Sequence, residues 1–358
     1  MDQPSHEPRR RDTRSARPAA SDIHFRERLF AQHPRTLEPS AVEGGNLLER
    51  GAYPELRGAL IAPPHLLGIA ARSDEQLECG MSAFFTSVAG VRMPKIIYGT
   101  AWKRAQTERF VTLAIRHGFR GVDTACQPKH YDEAGVGAAL AASGLPRQDL
   151  YVQTKFTPAG GQDPDRLPYD PKAPLAEQVA QSFAASLRNL QTSYVDCLLI
   201  HSPLPNSEQT LQAWRAIEAI VDAGAIRQAG ISNCYSLAEF KELYRSVRIK
   251  PAVLQNRFHA ETAYDRGLRA FCRQEHIVYQ SFWTLTANPQ VLAHPTIVAA
   301  AAAHGREPAQ ILFRYLTQRG VVPLTGTRSD AHMREDLSIF DFELTVGECA
   351  ATDRIFTD

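Results

Sequence analysis

From residue 82 onward the chain repeats one pattern, a short apolar run followed by a longer stretch with helical periodicity. The apolar runs are KIIY (95–98), FRGVD (119–123), LYVQT (150–154), VDCLLI (195–200), IRQAGI (226–231), AVLQN (252–256), IVYQS (277–281) and VVPL (321–324). Between them lie helical patterns such as Ala105–His117, Leu175–Leu190, Thr210–Ala223, Leu237–Arg245 and Pro308–Arg319. Near-continuous apolar runs of strand length read as strands buried on both faces, the habit of parallel sheets. Gly118, Gly224 and Gly320 stand where a left-handed helix cap is expected. Eight strands alternating with helices over about 250 residues predict an α/β fold, a (β/α)8 TIM barrel. Ahead of it, FFTSV, Ala89-Gly90 and VRM read as a β-hairpin. The rival architecture is a doubly wound sheet, which needs G-x-G-x-x-G after its first strand. The nearest match, GVGAAL (135–140), lacks the third glycine, follows the second strand and begins inside a helical pattern, so it reads as helix packing.

The 358 residues leave room for more than the barrel. Residues 1–22 are charged, proline-bearing and almost free of large apolar groups, which predicts a disordered tail. Their arginines suit a transit peptide, but Asp2, Glu7 and Asp12 argue against one. Residues 23–81 read as an N-terminal extension of unassigned role. A formal net charge of +1 argues against nucleic acid as a partner. No apolar run reaches the ~18 residues of a membrane span. The six cysteines, Cys79, Cys126, Cys197, Cys234, Cys272 and Cys349, form no CxxC pair. That spacing suits reduced thiols in a cytoplasmic protein better than a disulfide frame or a zinc site.

Four residues lie at or just beyond strand ends: Asp123, Tyr131, Lys155 and His201. A parallel barrel gathers such ends on one face. Reducing a carbonyl with a nicotinamide requires a hydride donor and a proton donor that polarises the oxygen. A phenol with an ordinary pKa of ~10 serves once an ammonium favours its ionised form. The ammonium in turn needs a counter-charge when buried. Tyr131, Lys155 and Asp123 supply these parts, and a neutral His201 would orient the carbonyl oxygen. Alone, each residue reads more readily as a surface or capping group; four in one strand order do not. His130, beside Tyr131, is the alternative histidine. A metal-dependent hydrolase would want paired histidines after the first strand, and no H-x-H occurs.

The segment GFRGVDTACQPKHYDEAGVGAAL (118–140) resembles the signature of the aldo-keto reductase family. GTAWK (99–103), LYVQTKF (150–156), SLRNLQTSYVDCLLIHSP (186–203), DAGAIRQAGISN (222–233), PAVLQNRFH (251–259), FCRQEHIVYQSFWTL (271–285) and PAQILFRYLTQRGVVPLTGT (308–327) agree in order. The resemblance covers roughly residues 82–357. It implies a barrel whose bottom is closed by the hairpin Phe84–Met93, with Tyr131 as acid, Lys155 and Asp123 as its tuners and His201 as the carbonyl-orienting group. It implies NADPH, with NADH left open, lying across the C-terminal face and reducing an aldehyde or ketone to an alcohol. Ser232, Asn233 and Gln255 match the residues that bond the carboxamide, and Phe282 the ring that stacks on the nicotinamide. Thr100 and Asp123 fall with the cofactor set. An NADPH-binding regulatory or scaffold barrel without turnover is the rival function.

Departures from the family pattern carry information. Asp123 to Tyr131 is eight positions where five are usual, so the loop must bulge to deliver the phenol. The lysine expected after the last-strand proline is Leu324, leaving Thr325, Thr327 and Arg328 for the ribose phosphate, with His332 near the adenosine. The chain ends at Asp358, without the long C-terminal loop of many members, which implies an open pocket or one walled by other segments. Gln127–His130 and Pro158–Pro174 are the candidate walls. Trp102, His130, Tyr131, His201 and Trp283 are the expected substrate pocket.

Overall fold

The structure, a computed structural model, describes residues 82–357. The expectations for residues 1–22 and 23–81 lie outside them. Strand β1 (Phe84–Thr86) pairs antiparallel with β2 (Arg92–Pro94), Phe85 opposite Met93. Eight parallel strands follow: β3 (Ile97–Gly99), β4 (Gly121–Asp123), β5 (Tyr151–Phe156), β6 (Val195–Ile200), β7 (Ile226–Ser232), β8 (Val253–Arg257), β9 (Val278–Phe282) and β10 (Val321–Thr325). They close in sequence order, β10 pairing with both β9 and β3. The (β/α)8 barrel is therefore the fold, and each apolar run of the sequence is one of its strands.

Helices Thr107–His117, Glu133–Ala142, Leu175–Leu190, Ser207–Asp222, Leu237–Ser246, Arg266–Gln274 and Pro308–Gln318 each lie between successive barrel strands or beside them. Their apolar faces and the outward residues of the strands form the main core, which includes Val122, Val152, Phe156, Trp214 and Ile231. The inward residues form a second cluster at the strand starts, with Ile97, Tyr151, Cys197, Val253 and Val278 around Met93. Met93, fully buried, is carried there by the hairpin. The hairpin thus seals the end opposite the strand C-termini, and Ser87 Oγ bonds Gln228 Oε1 at 2.6 Å to fix it.

Two glycines are set by close approach. Gly137 of GVGAAL faces the Asn189 carbonyl at the end of helix Leu175–Leu190, where a Cβ would collide with backbone. The motif packs helices, as its sequence context predicts. Gly230 of β7 sits between Leu199 and Val253, and a Cβ there would lie 2.5 Å from Leu199 Cδ2 and against the Val253 carbonyl. Neither neighbouring strand can retreat without breaking its ladder. Gly230→Ala is expected to destabilise the barrel by about 1–3 kcal/mol or more, read as a lowered urea midpoint at constant slope. An unchanged midpoint would show that the wall of the barrel yields.

Candidate active site

The strand C-termini bring the quartet together. Asp123 ends β4 and Lys155 is the fifth residue of β5, so both point inward at one level. Lys155 Nζ donates to Asp123 Oδ1 at 2.7 Å, Oδ2 at 2.6 Å and the Thr124 carbonyl at 2.8 Å. The two side chains are 1% and 4% exposed, so this is a buried, fully bonded ion pair. Asp123 Oδ1 also accepts from Gln153 Nε2 at 2.7 Å and Gln255 Nε2 at 3.0 Å. Gln280 Oε1 receives the second N–H of both amides at 2.9 Å. Gln280 Nε2 bonds back to Gln153 Oε1, which also takes the Tyr151 hydroxyl; Gln228 then links Tyr151 to the hairpin. A chain of satisfied polar side chains therefore runs down the barrel axis from the ion pair to Ser87. Such a network holds its members rigidly when every group is paired.

The three extra residues between Asp123 and Tyr131 are accommodated in two ways. The chain keeps pairing beyond β4, with Cys126 N donating to the Lys155 carbonyl and bridging to Phe156. It then makes a tight turn in which His130 N and Tyr131 N both donate to the Gln127 carbonyl at 3.0 Å. The turn delivers Tyr131: its ring lies 5.4 Å from Lys155 Nζ and edge-on to His201 at 5.9 Å between centroids. His130 goes elsewhere, stacking on Trp102 at 3.8 Å. Among the described residues the Tyr131 hydroxyl has no hydrogen-bond partner.

One expectation is corrected. The Lys155 ammonium was expected to pull the Tyr131 pKa down, but burial, with the Asp123 charge second, pushes it above the usual phenol value. The reason is geometric. Lys155 spends its N–H groups on both Asp123 oxygens and the Thr124 carbonyl, and burial of the phenol outweighs what its charge offers there. Tyr131 is thus a neutral hydroxyl, which is the form that can give a proton.

His201 follows β6 and its backbone N donates to the Phe156 carbonyl. Burial first, then the Lys155 ammonium and His130, hold its imidazole well below the usual range, so it is neutral. Its Nδ1 is 2.7 Å from Thr157 Oγ1, two residues after Lys155. Sequence reasoning missed Thr157; its place two positions beyond the lysine on an inward-facing strand end was the available signal. Because the unfolded imidazole titrates near 6.5, the unfolded chain takes up a proton below that pH that the folded chain refuses. Stability is expected to rise with pH up to about 6.5, with a shallower slope in His201→Gln; chemical denaturation between pH 5 and 7 (about the range over which free imidazole titrates) measures it. Equal slopes would contradict the neutral assignment.

The residues expected at the cofactor divide. Ser232 ends β7 and Asn233 follows it, next to Gln255 of β8: Ser232 Oγ donates to the Gln255 carbonyl at 2.8 Å, and Asn233 Nδ2 donates to the His201 carbonyl at 2.8 Å. With both N–H groups of Gln255 spent in the interior network, its Oε1 remains as an acceptor, 3.5 Å from Ser232 Oγ. Phe282 ends β9. Thr100 is fully buried, its hydroxyl on the Asp123 carbonyl at 2.9 Å. Thr325 is turned away, its hydroxyl donating to the buried Asp336 carboxylate at 2.6 Å, which leaves it with an anion where a phosphate contact was expected. Thr327 Oγ1 accepts from Ser329 N, Arg328 donates to the Trp102 carbonyl at 2.5 Å, and His332 is exposed in the first turn of helix Asp330–Leu337. Lys103, absent from the expected set, is buried on this side. Its Nζ donates to the carbonyls of Gly99 and Gly326 at 2.7 and 3.0 Å, and burial, with Arg328 second, lowers its pKa to about 7.

Trp102 and Trp283 are 47% and 44% exposed, so both present apolar surface at the rim. The two candidate walls are laced together: Gln127 Nε2 donates to the Gly161 carbonyl at 2.5 Å, and Gln162 Nε2 to the Cys126 carbonyl at 2.8 Å. Cys126 and Cys234 are buried, as are the other unbridged cysteines of the described residues. No helix among the described residues is long and apolar enough to cross a membrane.

The C-terminal face of a closed parallel barrel thus carries a phenol, a buried Lys–Asp pair and a neutral imidazole. Residues 95–356 match the Aldo/keto reductase family, and the chain belongs to that family. The glyoxal reductase of Bacillus subtilis strain 168 is 30% identical over 248 residues, 69% of this chain and 83% of that protein. An aldo/keto reductase from Brucella melitensis superposes with a TM-score of 0.66 at 26% identity, over 76% of this chain and 98% of the other. A silkworm (Bombyx mori) aldo-keto reductase solved in complex with NADP gives 0.64 at 25% identity, over 76% and 92% of the two chains. The chain is therefore an oxidoreductase of a family whose relatives include a glyoxal reductase.

Proposed function

We propose that the protein reduces an aldehyde or ketone to an alcohol with NADP(H), Tyr131 giving the proton. The observation that carries this is the Tyr131 ring, edge-on to a neutral His201 and 5.4 Å from the ammonium of a buried Lys155–Asp123 pair. The donor set suits a dinucleotide: a flat aromatic at the end of β9, an acceptor in Gln255 Oε1, amide and hydroxyl groups in Asn233 and Ser232, a cation in Arg328 and a buried amine in Lys103. When bound, the nicotinamide supplies the hydride. In the tautomer with Nδ1 accepting from the Thr157 hydroxyl, His201 Nε2–H holds the substrate oxygen beside Tyr131. Tyr131 then passes its proton to that oxygen, and the Lys155 ammonium, 5.4 Å from the ring, offsets the phenolate left behind.

Ser232, Asn233, Gln255 and Phe282 would hold the nicotinamide end, and Thr327, Arg328, His332 and Lys103 the phosphate and adenosine end, with Thr100 and Asp123 beneath. The printed names of a glyoxal reductase relative and of an NADP-bound neighbour support this direction of chemistry and this cofactor. Buried, unbridged thiols support a reducing, cytoplasmic setting. The intact quartet speaks against a scaffold without turnover. The test is NADPH oxidation with a panel of aliphatic and aromatic aldehydes and ketones. Saturable oxidation is expected; binding of NADPH without oxidation of it by any member of the panel would leave the scaffold role instead.

A further inference from the structure

Beside Tyr131 lies a cavity of about 520 Å³ at the rim of the barrel, lined by Arg104, Lys129, His130, Tyr131, Asp132 and Arg166 among others. Three cations, Arg104, Lys129 and Arg166, line it against one carboxylate, Asp132. Arg166 is neutralised by Asp163, which it grips with Nε at 2.9 Å and Nη2 at 2.8 Å. The Asp132 carboxylate is turned to the Gly135 N–H, where it caps helix Glu133–Ala142. Arg104 and Lys129 form no direct ion pair among the described residues, the Asp163 charge reaching Lys129 only through space, and the His130 Nδ1 is buried without a hydrogen bond. The frame around them is held. Trp102 and Arg104 both adopt left-handed backbone, at φ 64° and 51°, which non-glycine residues keep only where their surroundings impose it. Trp102 is fixed at both ends, its N–H on the His130 carbonyl and its carbonyl on Arg328.

We propose that this cavity binds an anionic group of the substrate, a carboxylate or a phosphate carried a few bonds from the carbonyl that Tyr131 protonates. The inference rests on the reductase reading and names its substrate class. Two unpaired cations at the wall of a partly enclosed cleft focus an attractive field, and the guanidinium of Arg104 offers the forked donors that a carboxylate or phosphate accepts. A neutral substrate would leave both cations facing solvent.

The test compares 4-carboxybenzaldehyde, 4-formylphenyl phosphate and methyl 4-formylbenzoate, the uncharged ester, as substrates with NADPH at low ionic strength. The acid and the phosphate are expected to exceed the ester in kcat/KM by about tenfold or more, chiefly through KM. Added salt should shrink that ratio. In Arg104→Met/Lys129→Met the ratio should fall to about one. The ratio is internal to each preparation, so partial unfolding cannot mimic the result. Acid and phosphate arms separate the two anion chemistries. Equal use of acid and ester by the wild type, a ratio that survives in the double variant, or a double variant whose KM rises for NADPH instead of for the acid, would overturn the proposal. Reduction of none of the three compounds, nor of any other carbonyl compound, would overturn the reductase reading and this one with it.

Discussion

Tyr131→Phe is expected to lower kcat for aldehyde reduction by about 10²–10⁴-fold, the usual share of a positioned general acid. The variant should leave folding almost untouched. The ring stays, so its edge contact with His201 stays, and the lost hydroxyl bonds nothing else among the described residues. No buried partner is orphaned, which is what makes hydroxyl deletions costly elsewhere. Cofactor affinity should also hold, because the groups assigned to the nicotinamide and phosphate ends sit on β7, β8, β9 and the segments after β3, β7 and β10. Turnover, unfolding midpoint and NADPH titration therefore separate cleanly: one falls by orders of magnitude and two do not move. A variant that keeps its turnover would remove Tyr131 from the reaction. The neighbouring His130 would then be the group to replace, though it stacks on Trp102 away from Lys155.

How far the sequence could be read follows from what each residue needs. Strands buried on both faces leave unbroken apolar runs, so all eight were visible, within about three residues at their ends. Asp123 and Lys155 were visible as a pair because each is charged at the end of such a run, and only an opposite charge makes that tolerable. The helices Glu133–Ala142, Arg266–Gln274 and Asp330–Leu337 were less legible; the first is short of polar residues, and the others are short and highly charged. The outcome of the insertion before Tyr131 was not legible at all. Whether the loop presents residue 130 or 131 depends on the two N–H groups that share the Gln127 carbonyl, a contact no spacing rule encodes. Three glutamines, Gln153, Gln228 and Gln280, read as minor interruptions in apolar strands, and Gln255 only as a cofactor residue. Their meaning lies in parity: all four face the barrel axis, where their amides join the ion pair to the hairpin. The cationic cavity was missed for a related reason. Arg104, Lys129 and Arg166 are separated in sequence and individually look like ordinary surface charges.

Lys155→Met is the sharper test of how the site is built, because two different losses are expected at once. Removing the ammonium strands the Asp123 carboxylate in a place 4% exposed, with only Gln153 and Gln255 donating to it. Breaking a buried pair in this way costs about 3–5 kcal/mol, a fall in the urea midpoint large enough to read directly. Turnover should drop by at least about a hundredfold, since the charge nearest the phenol would then be the carboxylate, which opposes a phenolate. Instability and inactivity could share one cause, and the double variant Asp123→Asn/Lys155→Met divides them. A neutral amide among Gln153, Gln255 and Gln280 keeps hydrogen-bond partners and carries no stranded charge, so most of the lost stability should return. Turnover should not return, because the cation that offsets the phenolate is still missing. If instead activity recovers together with the midpoint, Lys155 serves only to neutralise Asp123, and the proton donation assigned to Tyr131 runs without its help.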